Sequence, residues 1–279
     1  MVEPEEGWIG TSALRLHYVE WSKPDLPAAL LLHGIGDNGR IWDSFARLAS
    51  PFLRIIALDQ RGHGLSEWAV PPAYSESEYV SDLCAAVEHL KLDRFVLIGH
   101  SMGALHATRY AMLRPERVSA LVHADIEPRP PDWNRKYLLN LYDEMPATYT
   151  SPEDYASGAG LHSPRAKKEL LLEFAAHALA RSENGLYRPL FDREVLRSFD
   201  GYDLVADLPR ISCPVLAVRG ENSRVMSRQA AEEMSRAVPN GRFAEIPGAA
   251  HPVQTEDPEA FTKIVLDFLR ETGIIENSK

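Results

Sequence analysis

The chain is short of cysteine, short of positive charge and without a long apolar run, and each shortage excludes something. Cys84 and Cys213 are the only two cysteines in 279 residues, too few for a disulfide framework and suited to a reducing compartment. Thirty basic residues against forty acidic ones leave a net charge of −10. That balance disfavours nucleic acid and anionic membrane surfaces as partners. No apolar stretch approaches the ~20 residues needed to span a bilayer. The start, Met1-Val2-Glu3-Pro4-Glu5-Glu6-Gly7-Trp8, is acidic and lacks the basic-then-apolar pattern of a secretory leader. A cytoplasmic protein is expected, with neither nucleic acid nor membrane as partner. No His-Glu-x-x-His and no Cys/His spacing suggests a metal, and no cofactor is expected. Nothing in the chain fixes an oligomeric state.

What is present can build a large core, as one domain or as one domain carrying an insertion. Trp8 to Thr11 and Ala13 to Trp21 suggest two antiparallel strands, the second alternating Leu14, Leu16, Tyr18 with Arg15, His17. Ala28 to Leu32 and Leu53 to Leu58 are unbroken apolar runs, the pattern of strands covered on both faces. Between them, Asn38 to Ala49 has helical spacing. A second helix is expected from Glu78 to Leu90, with Cys84 packed on its apolar stripe. Phe95 to Ile98, Met102 to Leu113 and Val118 to His123 continue the alternation of strand and helix. The rhythm implies a mostly parallel sheet covered by helices, with right-handed crossovers.

The rhythm breaks at Asp125-Ile126-Glu127-Pro128-Arg129-Pro130-Pro131. From there to Leu208 the pattern shows helices and no convincing strand. Asp132 is a candidate helix cap, and Ser151-Pro152 and Ser163-Pro164 are candidate helix starts. The expected division is a core of 1–127 and 209–279, with a helical cap of 128–208. The sheet resumes over Cys213–Val218 and Arg242–Ile246, separated by a helix from Ser227 to Val238. A loop, Pro247 to Pro252, precedes a last helix that starts at Asp257-Pro258 and closes near Gly273.

One stretch organises the rest. Gly99-His100-Ser101-Met102-Gly103 lies between an apolar strand and a helix of small residues. Gly-x-Ser-x-Gly in that context is a nucleophile elbow, a turn sharp enough to lift the serine hydroxyl clear of the sheet. Its two glycines have no Cβ to strike the neighbouring strand and helix. The Met102 N–H then points to where an oxyanion would form.

Four motifs follow in fixed order, each at the carboxyl end of an expected strand: HGIG (33–36), DQRGHGLS (59–66), GHSMG (99–103) and GAAHP (248–252). Jointly they resemble the α/β-hydrolase superfamily over essentially the whole chain. The resemblance implies the α/β-hydrolase fold, a doubly covered twisted sheet with a helical cap insertion. It implies Ser101 as nucleophile, His251 as base, and the backbone of Ile35 and Met102 as oxyanion hole. His33, His63 and His100 flank tight turns, where a structural use is expected. Asp59 and Arg61 are expected to form a structural ion pair or a hydrogen-bonded turn.

The third member of the triad departs from the usual pattern. Most serine hydrolases of this fold place the acid just after the penultimate strand, typically in a Gly-x-x-Asp, and here Gly220-Glu221-Asn222-Ser223 offers serine. Part of the superfamily, including some haloalkane dehalogenases, carries the acid directly after the strand that follows the elbow helix. Asp125 stands there. Glu127 and Glu221 are the other candidates. Dehalogenases and epoxide hydrolases attack with aspartate, whereas a serine favours acyl transfer to water. The expected function is hydrolysis of a small-molecule carboxylic ester of small or medium acyl chain, with Trp133, Tyr137 and Leu141 of the cap as substrate contacts. The same triad serves lactonases, C–C bond hydrolases, acyltransferases and perhydrolases. A small-molecule receptor on this fold is the alternative of a different class.

Overall fold

Unbroken apolar runs become central strands because both of their faces need cover. In the computed structural model, which describes residues 3–21, 25–199 and 202–276 (backbone only for 159–162), this is how the chain folds. β1 (Glu5–Gly10) and β2 (Arg15–Trp21) form the expected hairpin. β3 (Ala28–Leu32) and β4 (Arg54–Leu58) are buried and parallel, and β2 closes antiparallel on β4. Between them lie a 3-10 turn, Gly39–Trp42, and α1 (Asp43–Ala49). The single helix expected from Asn38 is therefore divided. The Asn38 side chain accepts from the Arg40 amide and starts the tighter turn instead.

α2 (Glu76–His89) opens with a capping box in which Ser75 and Glu78 satisfy each other's backbone amides. The elbow strand β5 (Phe95–His100), α3 (Met102–Leu113) and β6 (Val118–Ala124) follow as expected. After the insertion come β9 (Val215–Gly220), α8 (Arg228–Ala237) and β10 (Gly241–Ile246), the two strands parallel to each other. The sheet order is β1-β2-β4-β3-β5-β6-β9-β10, with β2 alone running against the rest. One consequence matters for the site: β5, β6 and β9 are consecutive neighbours, so their carboxyl ends lie side by side.

Both faces are filled. On one, Trp42, Phe45 and Phe261 form an aromatic triangle with ring centroids 5.7–6.1 Å apart. Phe261 belongs to the last helix, α10 (Pro258–Glu271), which starts where Asp257 accepts from the Ala260 amide. A one-turn helix, α9 (Val253–Glu256), separates it from the His251 loop.

The segment between β6 and β9 holds α4 (Asp132–Glu144), α5 (Pro152–His162), α6 (Lys168–Ala178) and α7 (Glu194–Ser198). It also holds an antiparallel ribbon, β7 (Leu179–Arg181) with β8 (Tyr187–Pro189), where no strand is expected from sequence. Each strand has three residues, and Pro189 ends one, so neither is long enough to show alternation. Two helix starts also move. Asp132 is the first helical residue behind Pro131 rather than the cap, and α6 begins after Lys167, leaving Ser163-Pro164 in the preceding turn. The segment is tied to the sheet by paired backbone bonds: the Gly64 amide donates to the Leu190 carbonyl (2.7 Å) and the Asp192 amide to Gly62 (2.8 Å).

Candidate active site

The elbow puts a serine where a helix and a strand leave no room for anything larger than glycine beside it. A Cβ on Gly99 would lie 2.4 Å from the Gly103 carbonyl oxygen, and one on Gly103 would lie 2.5 Å from the carbonyls of Leu32 and His33. Ser101 itself takes φ 52° and ψ −127°, outside the regions that L-residues prefer. Strain of this kind costs about 1–3 kcal/mol and persists where the surroundings enforce it. Here the Ser101 amide donates to the Ala124 carbonyl at 2.9 Å, and its own carbonyl accepts from Ala104 at 2.8 Å.

Directly across, Asp125 ends β6 with φ 55°, and its amide donates to the Val218 carbonyl of β9 at 2.8 Å. Two residues with positive φ thus terminate adjacent strands. His251 arrives from the loop after β10. Gly220 lets that loop close on β9, since a Cβ there would strike the Ala250 carbonyl oxygen at 2.3 Å. His251 Nε2 lies 3.0 Å from Ser101 Oγ, and His251 Nδ1 lies 2.7 Å from Asp125 Oδ2. The three residues expected to act together are therefore in one hydrogen-bonded line.

Asp125 is fully buried, and its charge is matched by donors on both oxygens. The Gly220 amide donates to Oδ1 (2.8 Å), while the Ser223 hydroxyl (2.5 Å) and the imidazole share Oδ2. With Asp125 accepting, Nδ1 carries the proton and Nε2 is free to accept one from the serine. The other candidate acids are engaged elsewhere. Glu221 accepts from the Gly248 amide at 2.6 Å, and Glu127 from the Ser227 amide at 3.1 Å.

The Ile35 and Met102 amides have no acceptor among the described residues, and both flank Ser101 from the loop after β3 and the start of α3. Gly34 lies against Ser101, a Cβ built on it falling 3.2 Å from Ser101 Cβ. His100 packs its ring on His251, centroids 4.7 Å apart, and its Nε2–H donates to the His251 carbonyl at 3.0 Å. Burial holds the His100 ring neutral, its pKa well below the usual imidazole range. Its remaining nitrogen, Nδ1, is buried without a hydrogen bond and lies 3.9 Å from the Asp37 carboxylate.

The other turn histidines are structural. His33 bonds the Gly34 carbonyl through Nδ1 (2.7 Å) and accepts from the Gln60 amide through Nε2 (3.0 Å). His63 bonds the Arg61 carbonyl at 2.9 Å and meets the His33 ring at a tilt, centroids 4.9 Å apart. Asp59 and Arg61 do not pair. Residues two apart on this turn point different ways: Asp59 binds His17 (2.8 Å) and the Gly39 and Leu65 amides, whereas Arg61 pairs with Asp82 at 2.6 Å. For Asp59 the hydrogen-bonded turn holds and the ion pair does not.

Sequence reasoning missed two polar residues. Ser223 was visible only as the gap where an acid is expected, although a hydroxyl there could have been read as a donor to an acid on the neighbouring strand. Asp37 gave no signal beyond following HGIG. On α4, Leu138 is buried, Leu141 packs partly against the core, and Trp133 and Tyr137 stay more than two-fifths exposed.

A sequence profile described as "Alpha/beta hydrolase family" matches residues 29–264. The protein of Pseudomonas syringae pv. syringae named "Putative carbamate hydrolase RutD" is 27% identical, over 88% of this chain and 94% of its own length. The "2-(acetamidomethylene)succinate hydrolase" of Mesorhizobium japonicum is 28% identical, over 87% and 88% respectively. The crystal structure titled E-2-(Acetamidomethylene)succinate Hydrolase superposes with a TM-score of 0.87 at 26% identity, over 96% of this chain and 99% of that one.

Proposed function

This chain belongs to the α/β-hydrolase family, and we propose that it is a serine hydrolase cleaving carboxylic esters of small or medium acyl groups through an acyl-enzyme. The observation that carries the reading is the continuous line from Ser101 Oγ through His251 to Asp125, at 3.0 and 2.7 Å.

A serine hydroxyl is a weak nucleophile until a base takes its proton during attack. Ser101 Oγ adds to the ester carbonyl while His251 Nε2 accepts that proton. Asp125 holds the other ring nitrogen's proton and balances the imidazolium. The oxyanion is held by the Ile35 and Met102 amides, each such donor contributing about 3–4 kcal/mol to the transition state. Collapse breaks the ester C–O bond, and Nε2–H protonates the departing alkoxide. Water then repeats the sequence on the acyl-enzyme, with His251 first as base and then as acid, releasing the carboxylic acid and free Ser101. Every step uses the same three hydrogen-bonded groups.

The 128–208 segment acts as a cap over the carboxyl edge of the sheet. Within it, Trp133 and Tyr137 of α4 expose aromatic surface, and with Leu141 they are the residues assigned here to receive the acyl chain. A second reading is favoured by the relative named as a putative carbamate hydrolase. Attack on a carbamate carbonyl would use the same nucleophile, base and oxyanion donors.

Turnover across p-nitrophenyl acetate, butyrate, hexanoate and octanoate tests the proposal, with a p-nitrophenyl carbamate alongside. A burst of one equivalent followed by length-dependent steady release supports the ester reading. Faster turnover of the carbamate supports the second reading. One equivalent with no further turnover of either class identifies a receptor-like protein instead.

A further inference from the structure

A carboxylate with no part in the acyl transfer stands beside the nucleophile. Asp37 closes the Gly34–Asp37 turn, its amide donating to the Gly34 carbonyl at 3.3 Å. A Cβ built on Gly34 would lie 3.0 Å from Asp37 Oδ2, 3.0 Å from His100 Nδ1 and 3.2 Å from Ser101 Cβ. Carboxylate, imidazole and nucleophile therefore surround one point, and the carboxylate is no more than two such contacts from the serine side chain.

Among the described residues no lysine or arginine pairs with Asp37. Among the described residues, the titratable groups facing it are His100 at the end of β5, His251 from the loop after β10, and Tyr155 from α5. His100 offers no proton, because burial keeps the ring neutral and its Nε2–H is committed to the His251 carbonyl. Burial pushes the Asp37 carboxyl up to about 6, against the opposing pull of His251 and the Gly34 amide. A quarter of the side chain stays accessible. Arg165, from the turn between α5 and α6, reaches the histidine loop, where it donates to the Pro247 carbonyl and faces Asp257 at 3.9 Å.

We propose that Asp37 is a specificity-determining carboxylate, selecting substrates whose acyl chain is neutral or cationic near the scissile carbonyl and rejecting those that carry a carboxylate there. The reacting carbon must approach Ser101 Oγ to about 3–3.5 Å. A carboxylate a few bonds from that carbon is then brought close to Asp37, in a site where water screens poorly and like charges repel. A hydroxyl, amide N–H or ammonium in the same place can instead donate to the carboxylate. This assignment deepens the ester-hydrolase reading and rests on it.

The test compares kcat/KM for the p-nitrophenyl esters of butyrate, hemisuccinate and 4-trimethylammoniobutyrate in the wild type, Asp37→Asn and Asp37→Ser. Thermal melts confirm that the variants fold. The wild type is expected to favour butyrate over hemisuccinate, and both variants to raise the hemisuccinate-to-butyrate ratio tenfold or more. They should lower the ratio for the cationic ester. The wild-type ratio is also expected to rise as pH falls from 8 to 5.5, because Asp37 loses its charge through about pH 6 while hemisuccinate stays largely ionised. Effects of pH on the chemical step common to both esters cancel in the ratio. In Asp37→Asn the ratio should be flat with pH. Turnover with a ratio unchanged in both variants overturns the role of Asp37 and leaves the hydrolase reading standing. Absence of turnover on every ester overturns both.

Discussion

Ser223 donates its hydroxyl to Asp125 at 2.5 Å, so the residue occupying the customary place of the acid supports an acid supplied by the neighbouring strand. The carboxylate that faces His251 stands after β6 rather than after β9. Because β6 and β9 pair directly, with Ala124 beside Val218, an acid at either place needs no change in the sheet.

Moving the acid to position 223 should therefore be possible. Asp125→Asn alone is expected to lower kcat by roughly 10³–10⁴, since the amide cannot hold His251 in the required tautomer. Ser223→Ala should cost far less, roughly 3–30-fold, by removing one donor from a buried carboxylate. The double variant Asp125→Asn with Ser223→Asp should recover at least tenfold over Asp125→Asn. Steady-state kinetics on a p-nitrophenyl ester decide it, and no recovery would mean that the carboxylate at 223 cannot reach the imidazole.

The elbow glycines make a prediction about stability. A methyl group at Gly99 or Gly103 would meet backbone oxygens near 2.5 Å, which cannot rotate away. Gly103→Ala is expected to destabilise the fold by about 3 kcal/mol, lowering Tm by roughly 6–12 °C. A differential scanning calorimetry trace unchanged from wild type would contradict the packing described.

Arg61 and Asp82 form a buried pair beneath the turn that carries His63, with both side chains under a tenth exposed. Removing the cation strands a carboxyl that burial already pushes upward. Arg61→Ala should cost about 3–5 kcal/mol. Urea denaturation measures it, and a loss below 1 kcal/mol would show that the pair contributes little.

Asp37 also links stability to pH. Its folded-state carboxyl is raised to about 6, so the native state holds a proton that the unfolded chain releases near 4. The associated stability is fully present below about pH 4 and is lost as pH rises through about 6. Asp37→Asn keeps a neutral side chain throughout. It should gain relative to wild type across that window, by at most about 2 kcal/mol given the partial exposure. Melting curves at pH 4, 5, 6 and 7.5 test this, and a constant Tm difference would contradict it.

The sheet and the meeting of Ser101, His251 and Asp125 were legible in the sequence because each demands residue types that little else uses. Gly99 and Gly103 are imposed by backbone contacts, and the apolar runs of β3 to β6 by burial on both faces. Asp125 was legible by subtraction, the usual site being occupied by serine. Other features leave weaker marks. Ser223 and Asp37 are residue types with many ordinary uses, and only neighbours far along the chain give them meaning. β7 and β8 are three residues each and sit directly after the apolar stripe of α6. Asp59 and Arg61 invited pairing because they are close in sequence, while the turn between them directs one toward His17 and the other toward Asp82.

The central claim is that Ser101 is an activated nucleophile. Incubation with a p-nitrophenyl alkylphosphonate, followed by intact-mass and peptide mass spectrometry, tests it most directly. One equivalent of p-nitrophenol is expected, with one adduct per chain located on Ser101 and labelling slowed by several orders of magnitude in His251→Ala. An adduct on another residue, or a His251→Ala variant labelled at the wild-type rate, would contradict it.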